Sequence, residues 1–205
     1  GGLNDYRINI YAGSNNSNGK MYIEFPDLNP YPPAISGTSD LRDNNWHYVS
    51  VTYDGNNVYV YVDGILENTV NRNGNINNNS SFSSTLKIGN SNHVSLEEFV
   101  GEIENVELWN VALNQQQIQD YMMCSPTGTE SGLVGYWNFE EGQGTTAYDQ
   151  TANGNNGTIN GATYDSNAPP QSCALTNANG CDSTAILNLT INQADTSFTN
   201  ITACD

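Results

Sequence analysis

The chain has 205 residues and carries 5 Lys and Arg against 22 Asp and Glu, a formal charge of −17. That balance excludes a nucleic-acid binder working by phosphate neutralisation and argues against anchoring on anionic lipid, since both need clustered basic side chains. With 37% hydrophobic and 10% aromatic residues the chain can bury a core, and no apolar run nears the ~20 residues of a membrane-spanning helix, so neither wholesale disorder nor membrane insertion is expected.

Residues 6–11 (YRINIY) and 20–25 (KMYIEF) alternate and end at Asn, Gly and Ser, which predicts two strands. Pro26, Pro30, Pro32 and Pro33 make 26–45 a loop, because proline has no amide to give a ladder. Residues 46–53 and 58–63 read as a hairpin about Asp54-Gly55-Asn56-Asn57, and a second turn at Asp63-Gly64 leads into 65–68. After a polar Asn/Ser stretch over 71–84, strands are predicted at 85–89 and 101–109. Only 112–122 has helical spacing, with Leu113, Ile118, Tyr121 and Met122 apolar and Asn114 placed to cap it. Residues 133–139 predict another strand, a short one follows near 158–164, Pro169-Pro170 marks a linker, and 185–191 (AILNLTI) is the last strand. Many short strands with one helix predict an all-β antiparallel sandwich, divided as a domain over 1–168 and a linker with a small β piece over 169–205.

The four cysteines, Cys124, Cys173, Cys181 and Cys204, form no C-x-x-C pair and are joined by only two histidines, which argues for disulfides in an oxidising compartment over a zinc site. The start, Gly1-Gly2-Leu3, is no signal peptide, and the end at Ala203-Cys204-Asp205 has no terminus-like tail. The chain therefore reads as a piece of a longer secreted protein.

Four blocks in order, Asn45-Trp46-His47-Tyr48-Val49-Ser50-Val51-Thr52-Tyr53-Asp54-Gly55, Val60-Tyr61-Val62-Asp63-Gly64, Leu86-Lys87-Ile88-Gly89 and 101–113 (GEIENVELWNVAL), resemble the laminin-G-like, concanavalin A-like jelly-roll domain of the pentraxin-like lectin superfamily. The resemblance covers roughly residues 1–165 and implies a two-sheet jelly roll that binds ligands without transforming them. Residues 133–142 (LVGYWNFEEG) and 149–159 look like the strand and loop that usually open such a domain, yet here they follow the helix that usually closes it. The resemblance thus implies either a circular permutation with the opening strands missing or the start of a second copy. Permutation is favoured, because no further Trp-His strand or Asp-Gly hairpin follows Tyr164. Residues 172–205 resemble the Cys-containing repeats of large surface proteins of Bacteroidetes-type bacteria, with Gly180-Cys181-Asp182-Ser183 and Leu187-Asn188-Leu189-Thr190-Ile191 similar to a repeat's end. Cys124 and Cys173 bracket the late strand and would clamp it as a disulfide; Cys173 with Cys181 is the alternative.

Three patterns carry candidate chemistry. Asp149, Thr151, Asn153 and Asn155 place oxygen side chains at alternate positions of a Gly-containing loop, which suits a calcium ion; the rival reading is a loop whose side chains bond their own backbone. Laminin-G-like domains frequently hold calcium at a loop, which adds to the first reading. In the hairpin, Val58, Val60 and Val62 share one face, so packing them inward turns Tyr48, Tyr59 and Tyr61 outward as a platform on which a pyranose ring could stack. The rival reading is that a second layer covers these tyrosines. Glu102, Glu104 and Glu107 resemble the acid-x-acid-x-x-acid strand of jelly-roll glucanases, whose two carboxyls must face one cleft. The middle acid differs in type, and the block runs on into the non-catalytic Leu108–Leu113 motif, so a solvated strand face is the simpler reading.

Together these features lead to a non-catalytic carbohydrate- or glycoconjugate-binding module on an extracellular cell surface, beside neighbouring domains of the same longer chain, with calcium as candidate cofactor. A ligand-free structural spacer and a glycoside hydrolase are the alternatives.

Overall fold

The computed structural model describes residues 7–10, 19–24, 35–74, 86–89, 99–169, 171, 173, 175–176 and 182–183. The chain divides into two compact units, Gly1–Ser172 and Cys173–Asp205.

Alternating valines and tyrosines organise the first unit. Strands β4 (Val49–Tyr53), β5 (Asn57–Val62) and β6 (Ile65–Asn71) form an antiparallel sheet in that order. The turn between β4 and β5 is fixed by Asp54, whose Oδ1 accepts the backbone N–H of Asn56 at 2.8 Å and of Asn57 at 2.7 Å. The turn into β6 places Asp63 and Gly64 both at positive φ, 51° and 70°, as a two-residue hairpin of this hand requires.

Val58 and Val60 are wholly buried against Met21, Ile23 and Ile35. Those partners come from β2 (Met21–Glu24) and β3 (Ile35–Ser36), which lie with β1 (Arg7–Ile10) in a second antiparallel sheet ordered β1-β2-β3. The two sheets therefore share one apolar core, the central feature of a sandwich. Each of these side chains contributes about 1.5–3 kcal/mol by leaving water. Strand β3 was expected to be loop; it is a two-residue pairing beyond the prolines, where Ile35 sits opposite Ile23.

The opposite face of β5 meets α1 (Gln115–Met123), the one helix among the described residues. Asn114 caps it: its side chain accepts the Gln117 N–H at 3.0 Å, and Gln117 Oε1 accepts the Asn114 N–H at 3.0 Å, a reciprocal capping box. Two glutamines tie the helix to the β5–β6 turn, with Gln115 Nε2 and Gln119 Nε2 donating to Gly64 O at 3.0 and 2.9 Å. Ile118 is wholly buried beside Tyr61 and Leu113.

Strands β7 (Val106–Trp109) and β8 (Leu133–Trp137) pair antiparallel, Val106 opposite Trp137 and Leu108 opposite Gly135. The segment after α1 thus returns beside the strand before it. Strands β9 (Thr146–Ala147) and β10 (Gly157–Thr158) close the loop that follows. In the second unit β11 (Leu175–Thr176) pairs with β12 (Asp182–Ser183).

The all-β antiparallel class with one short helix is thus the class of this chain. Several expected strands are shorter or absent; that of 46–53 starts only at Val49 and that of 133–139 ends at Trp137. The 101–109 strand starts only at Val106, after left-handed turns at Gly101 (φ 154°) and Asn105 (φ 48°). Residues 86–89 bend at Gly89 (φ 77°), and the strand expected near 158–164 ends at Thr158, before Gly161 (φ 81°). Cys124 and Cys173 are both disulfide-bonded. The expected strand at 185–191, Cys181 and Cys204 lie outside the described residues.

Candidate functional site

The hairpin separates its faces as its alternation dictates, but the tyrosine face is not an open platform. Tyr61 is 6% exposed and packs with Leu113 and Ile118, and Tyr48, Tyr59, Trp109 and Tyr121 gather around that group. Helix α1 and β7 are the covering layer. Tyr59, half-buried, stacks on Tyr61 with ring centroids 6.5 Å apart and donates its hydroxyl to Asp54 Oδ2 at 2.8 Å. Tyr61 is thus taken up in internal packing, and Tyr48 and Tyr59 are held half-buried beside it, so the three do not form the open platform expected.

The loop from Asp149 to Asn155 brings its predicted residues together, but around N–H donors. Asp149 Oδ1 accepts from Tyr136 N at 3.1 Å and Thr151 N at 2.9 Å. Its Oδ2 accepts from Asn155 N at 2.8 Å and Asn155 Nδ2 at 3.0 Å. Thr151 Oγ1 accepts the Asn153 N–H at 3.3 Å, while Asn153 Nδ2 and Asn155 Nδ2 both donate to Val134 O, at 2.9 and 3.0 Å. A calcium ion needs six to eight oxygen lone pairs turned inward. Here the single carboxylate has its lone pairs taken by four N–H groups, and both amides point nitrogen at a carbonyl. These residues do not fit a calcium ion in this arrangement, and among the described residues no group of three His, Cys, Asp or Glu could hold a metal. Burial alone would lift the Asp149 carboxyl, but the N–H groups of Thr151, Asn155 and Tyr136 outweigh it and hold it below the usual carboxylate range.

The three acids of 102–107 do not share one strand face. Only Glu107 is on β7, where its Oε2 accepts from Trp109 Nε1 at 3.0 Å and faces the Tyr48 hydroxyl at 3.5 Å. Its Oε1 is buried without a hydrogen-bond partner. Glu102 precedes the strand and accepts from Asn167 Nδ2 at 2.7 Å. Glu104 also precedes it, and burial followed by the charge of Glu140 lifts its carboxyl.

Fixing Asp149 has a consequence for its neighbours. Asp149 is buried under β8 and Gln150 N donates to Tyr136 O at 2.7 Å, while the side chains of Tyr148 and Gln150 are exposed. They line a shallow, open cleft of about 230 Å3 with Asn138, Glu140 and Glu141. Tyr148 is 53% exposed. One wall is rigid: Glu141 Oε1 accepts the Tyr148 N–H at 2.7 Å and its Oε2 the Tyr164 hydroxyl at 3.0 Å. The chain enters that wall through Phe139, a bulky residue held at φ 54°, a strained conformation of the kind concentrated at binding sites. None of the residues of this cleft stood out in the sequence as a sugar contact. The usable signal was Tyr148 and Gln150 flanking an Asp whose own side chain is buried.

A sequence profile described as the Concanavalin A-like lectin/glucanases superfamily matches residues 2–119. No curated protein matches the chain. Among solved structures, a candidate carbohydrate binding protein from Bacteroides ovatus is similar at 17% identity with a TM-score of 0.46, over 71% of this chain and 44% of that one. An S-layer domain-containing protein from Clostridium thermocellum is similar at 18% identity with a TM-score of 0.33, over 57% of this chain and 63% of that one. The chain thus spans less than two thirds of the length of either.

Proposed function

This chain belongs to the concanavalin A-like lectin/glucanases superfamily, and on that premise we propose that it is a non-catalytic carbohydrate-binding module of a secreted, multidomain surface protein. The observation that carries the reading is the cleft at Tyr148: an exposed ring beside the amides of Asn138 and Gln150 and the carboxylates of Glu140 and Glu141. An apolar ring face with a few fixed polar groups suits a pyranose, whose C–H face stacks while its hydroxyls bond amides and carboxylates. The cleft is small, so it would seat one sugar unit of a polysaccharide or glycoconjugate. A binder is favoured over a hydrolase because Glu107 is held against Trp109 and Tyr48 with one oxygen buried, and Glu102 is tied to Asn167. Binding in this reading is calcium-independent, since the Asp149 carboxylate is already occupied by N–H donors. The disulfide bonding of Cys124 and Cys173 supports an oxidising, extracellular setting. Among the described residues no helix is long and apolar enough to cross a membrane.

Tyr148→Ala tests the reading. On a glycan array followed by calorimetry, the variant is expected to lose about ten- to thirtyfold in affinity for whichever neutral glycan the wild type binds, the effect of removing one central aromatic contact. Its melting temperature should stay unchanged, because the ring is exposed. Sulfated polymers should bind poorly to a chain of net charge −17. A wild type that retains no glycan, or a Tyr148→Ala variant that binds as well, would leave the ligand-free spacer as the better reading.

A further inference from the structure

Helix α1 is seated over the tyrosine face by contacts of two kinds. The apolar one is Ile118 and Leu113 against Tyr61, with the Tyr121 ring 4.8 Å from that of Trp109. The polar one is the pair of glutamine bonds to Gly64 O. Beneath each lies a group whose geometry calls for a proton.

Under the Gly64 turn, His47 Nδ1 is 2.9 Å from Asp63 Oδ2 and His47 Nε2 is 3.0 Å from Asp43 Oδ1. A ring whose two nitrogens both face carboxylates must donate from both, and only imidazolium can. Asp63 Oδ1 in turn accepts the Tyr48 N–H at 2.9 Å, so the charged ring holds the turn to which α1 is tied. Under the aromatic layer, Glu107 takes two donors on Oε2 and none on the buried Oε1. A charged carboxylate oxygen without a donor is costlier there than a neutral O–H without an acceptor, so a proton on Oε1 lowers the cost by removing the charge while Oε2 keeps its bonds.

We propose that α1 is a proton-latched cover over the tyrosine face, closed while His47 and Glu107 both hold a proton and loosened as both release it.

The titratable groups facing Glu107 are Tyr48 ahead of β4, Tyr121 on α1, Tyr136 on β8 and Glu130 between α1 and β8. Those facing His47 are Asp43 and Asp63. None is a lysine or arginine. Tyr48 is pushed far up by burial and then by the charge of Glu107, so it stays neutral throughout. Burial, aided by the charge of Glu130 and opposed by the Trp109 and Tyr48 bonds, lifts Glu107 to about 7. For His47 burial works against the charge, but the bonds and charges of Asp63 and Asp43 outweigh it and raise the ring above its usual value.

Both groups act in one direction. Glu107, raised when α1 is closed, favours the closed form most below the value of a free carboxyl, and that advantage falls as pH climbs from there to about 7. The His47 contribution is full below the free imidazole value and is lost as pH rises through the raised one. Acidification from pH 8.5 to 5.5 therefore closes the cover.

Hydrogen–deuterium exchange of the full chain, corrected for intrinsic rates, tests this. Between pH 5.5 and 8.5 the amides of α1 should lose at least about tenfold in protection, while those of β5 lose less. Glu107→Gln should flatten the slope, and Glu107→Gln with His47→Gln should remove it. If the double variant does not fold, the wild-type His47 ring is titrated by NMR; a midpoint above that of a free histidine, together with the wild-type slope in α1, supports the latch. A flat α1 profile, equal loss in α1 and β5, or a His47 midpoint at or below the free value would each overturn it.

Discussion

Asp149→Ala should lower the melting temperature by on the order of 10 °C, and the wild type should melt at the same temperature in calcium as in EDTA. One carboxylate accepts four N–H groups, from Tyr136, Thr151 and twice from Asn155. Hydrogen bonds to a charged acceptor are worth about 1.5–3 kcal/mol each where they are buried, as those from Tyr136 and Thr151 are, while the exposed Asn155 can turn its N–H groups to water, so a total near 4 kcal/mol is expected. For a domain of this size each kcal/mol is about 2–4 °C. Asp149→Asn should cost less, because one oxygen still serves Tyr136 and Thr151, while the new amide faces the Asn155 N–H. The sign with pH follows from the lowered Asp149 value. Its stabilisation is present above the free carboxyl value and is lost as pH falls through the native one. Melting measured down an acid series, wild type beside Asp149→Ala, checks this: the two should converge at low pH. Stabilisation by calcium at the loop would contradict the four-donor arrangement, since an ion that binds only the native form raises its melting temperature.

Ile118→Ala should destabilise the first unit by about 2–5 kcal/mol. Ile118 is 0% exposed between Tyr61 and Leu113. Alanine is the better helix former, so propensity works against a loss and any loss reports packing alone. Denaturant melts followed by tryptophan fluorescence would measure it, because Trp109 packs against Tyr121 of the same helix, ring centroids 4.8 Å apart. A change below about 1 kcal/mol, the range of a site that collapses around the deletion, would mean that α1 is not seated on the sheet.

How far the sequence disclosed this arrangement depends on the range of the interaction. The β4–β5 hairpin was legible because everything that makes it is local: Asp54 bonds its own turn, and Val58 and Val60 alternate with Tyr59 and Tyr61. The Asn114 cap was legible for the same reason. Alternation tells which side chains share a face, but it cannot tell what lies over that face. The cover for Tyr61 comes from Ile118, far along the chain, so the tyrosines looked open. Alternate oxygens at 149–155 likewise looked like a cation cage, because the groups that fix those side chains otherwise belong to β8: Tyr136 N donates to the Asp149 carboxylate, and Val134 O accepts from the amide nitrogens of Asn153 and Asn155. The strand expected from residue 101 begins at Val106 because Asn105 takes a left-handed turn, which Asn tolerates without showing it in the pattern. The Tyr148 cleft was hidden because Asn138, Glu140 and Glu141 reach it from one segment and Tyr148 and Gln150 from another.

The 149–155 loop has one more effect. Among the described residues β8 pairs with one strand, β7. On the other side Tyr136 N is taken by the Asp149 carboxylate, Tyr136 O by Gln150 N, and Val134 O by two asparagine amides. Side chains thus stand in for the missing neighbour strand, and another chain finds nothing there to zip onto. For a module displayed at high local density, that blunted edge would keep copies from sticking into fibres, and it asks no more of the sequence than one Asp and a few Asn in a tight turn.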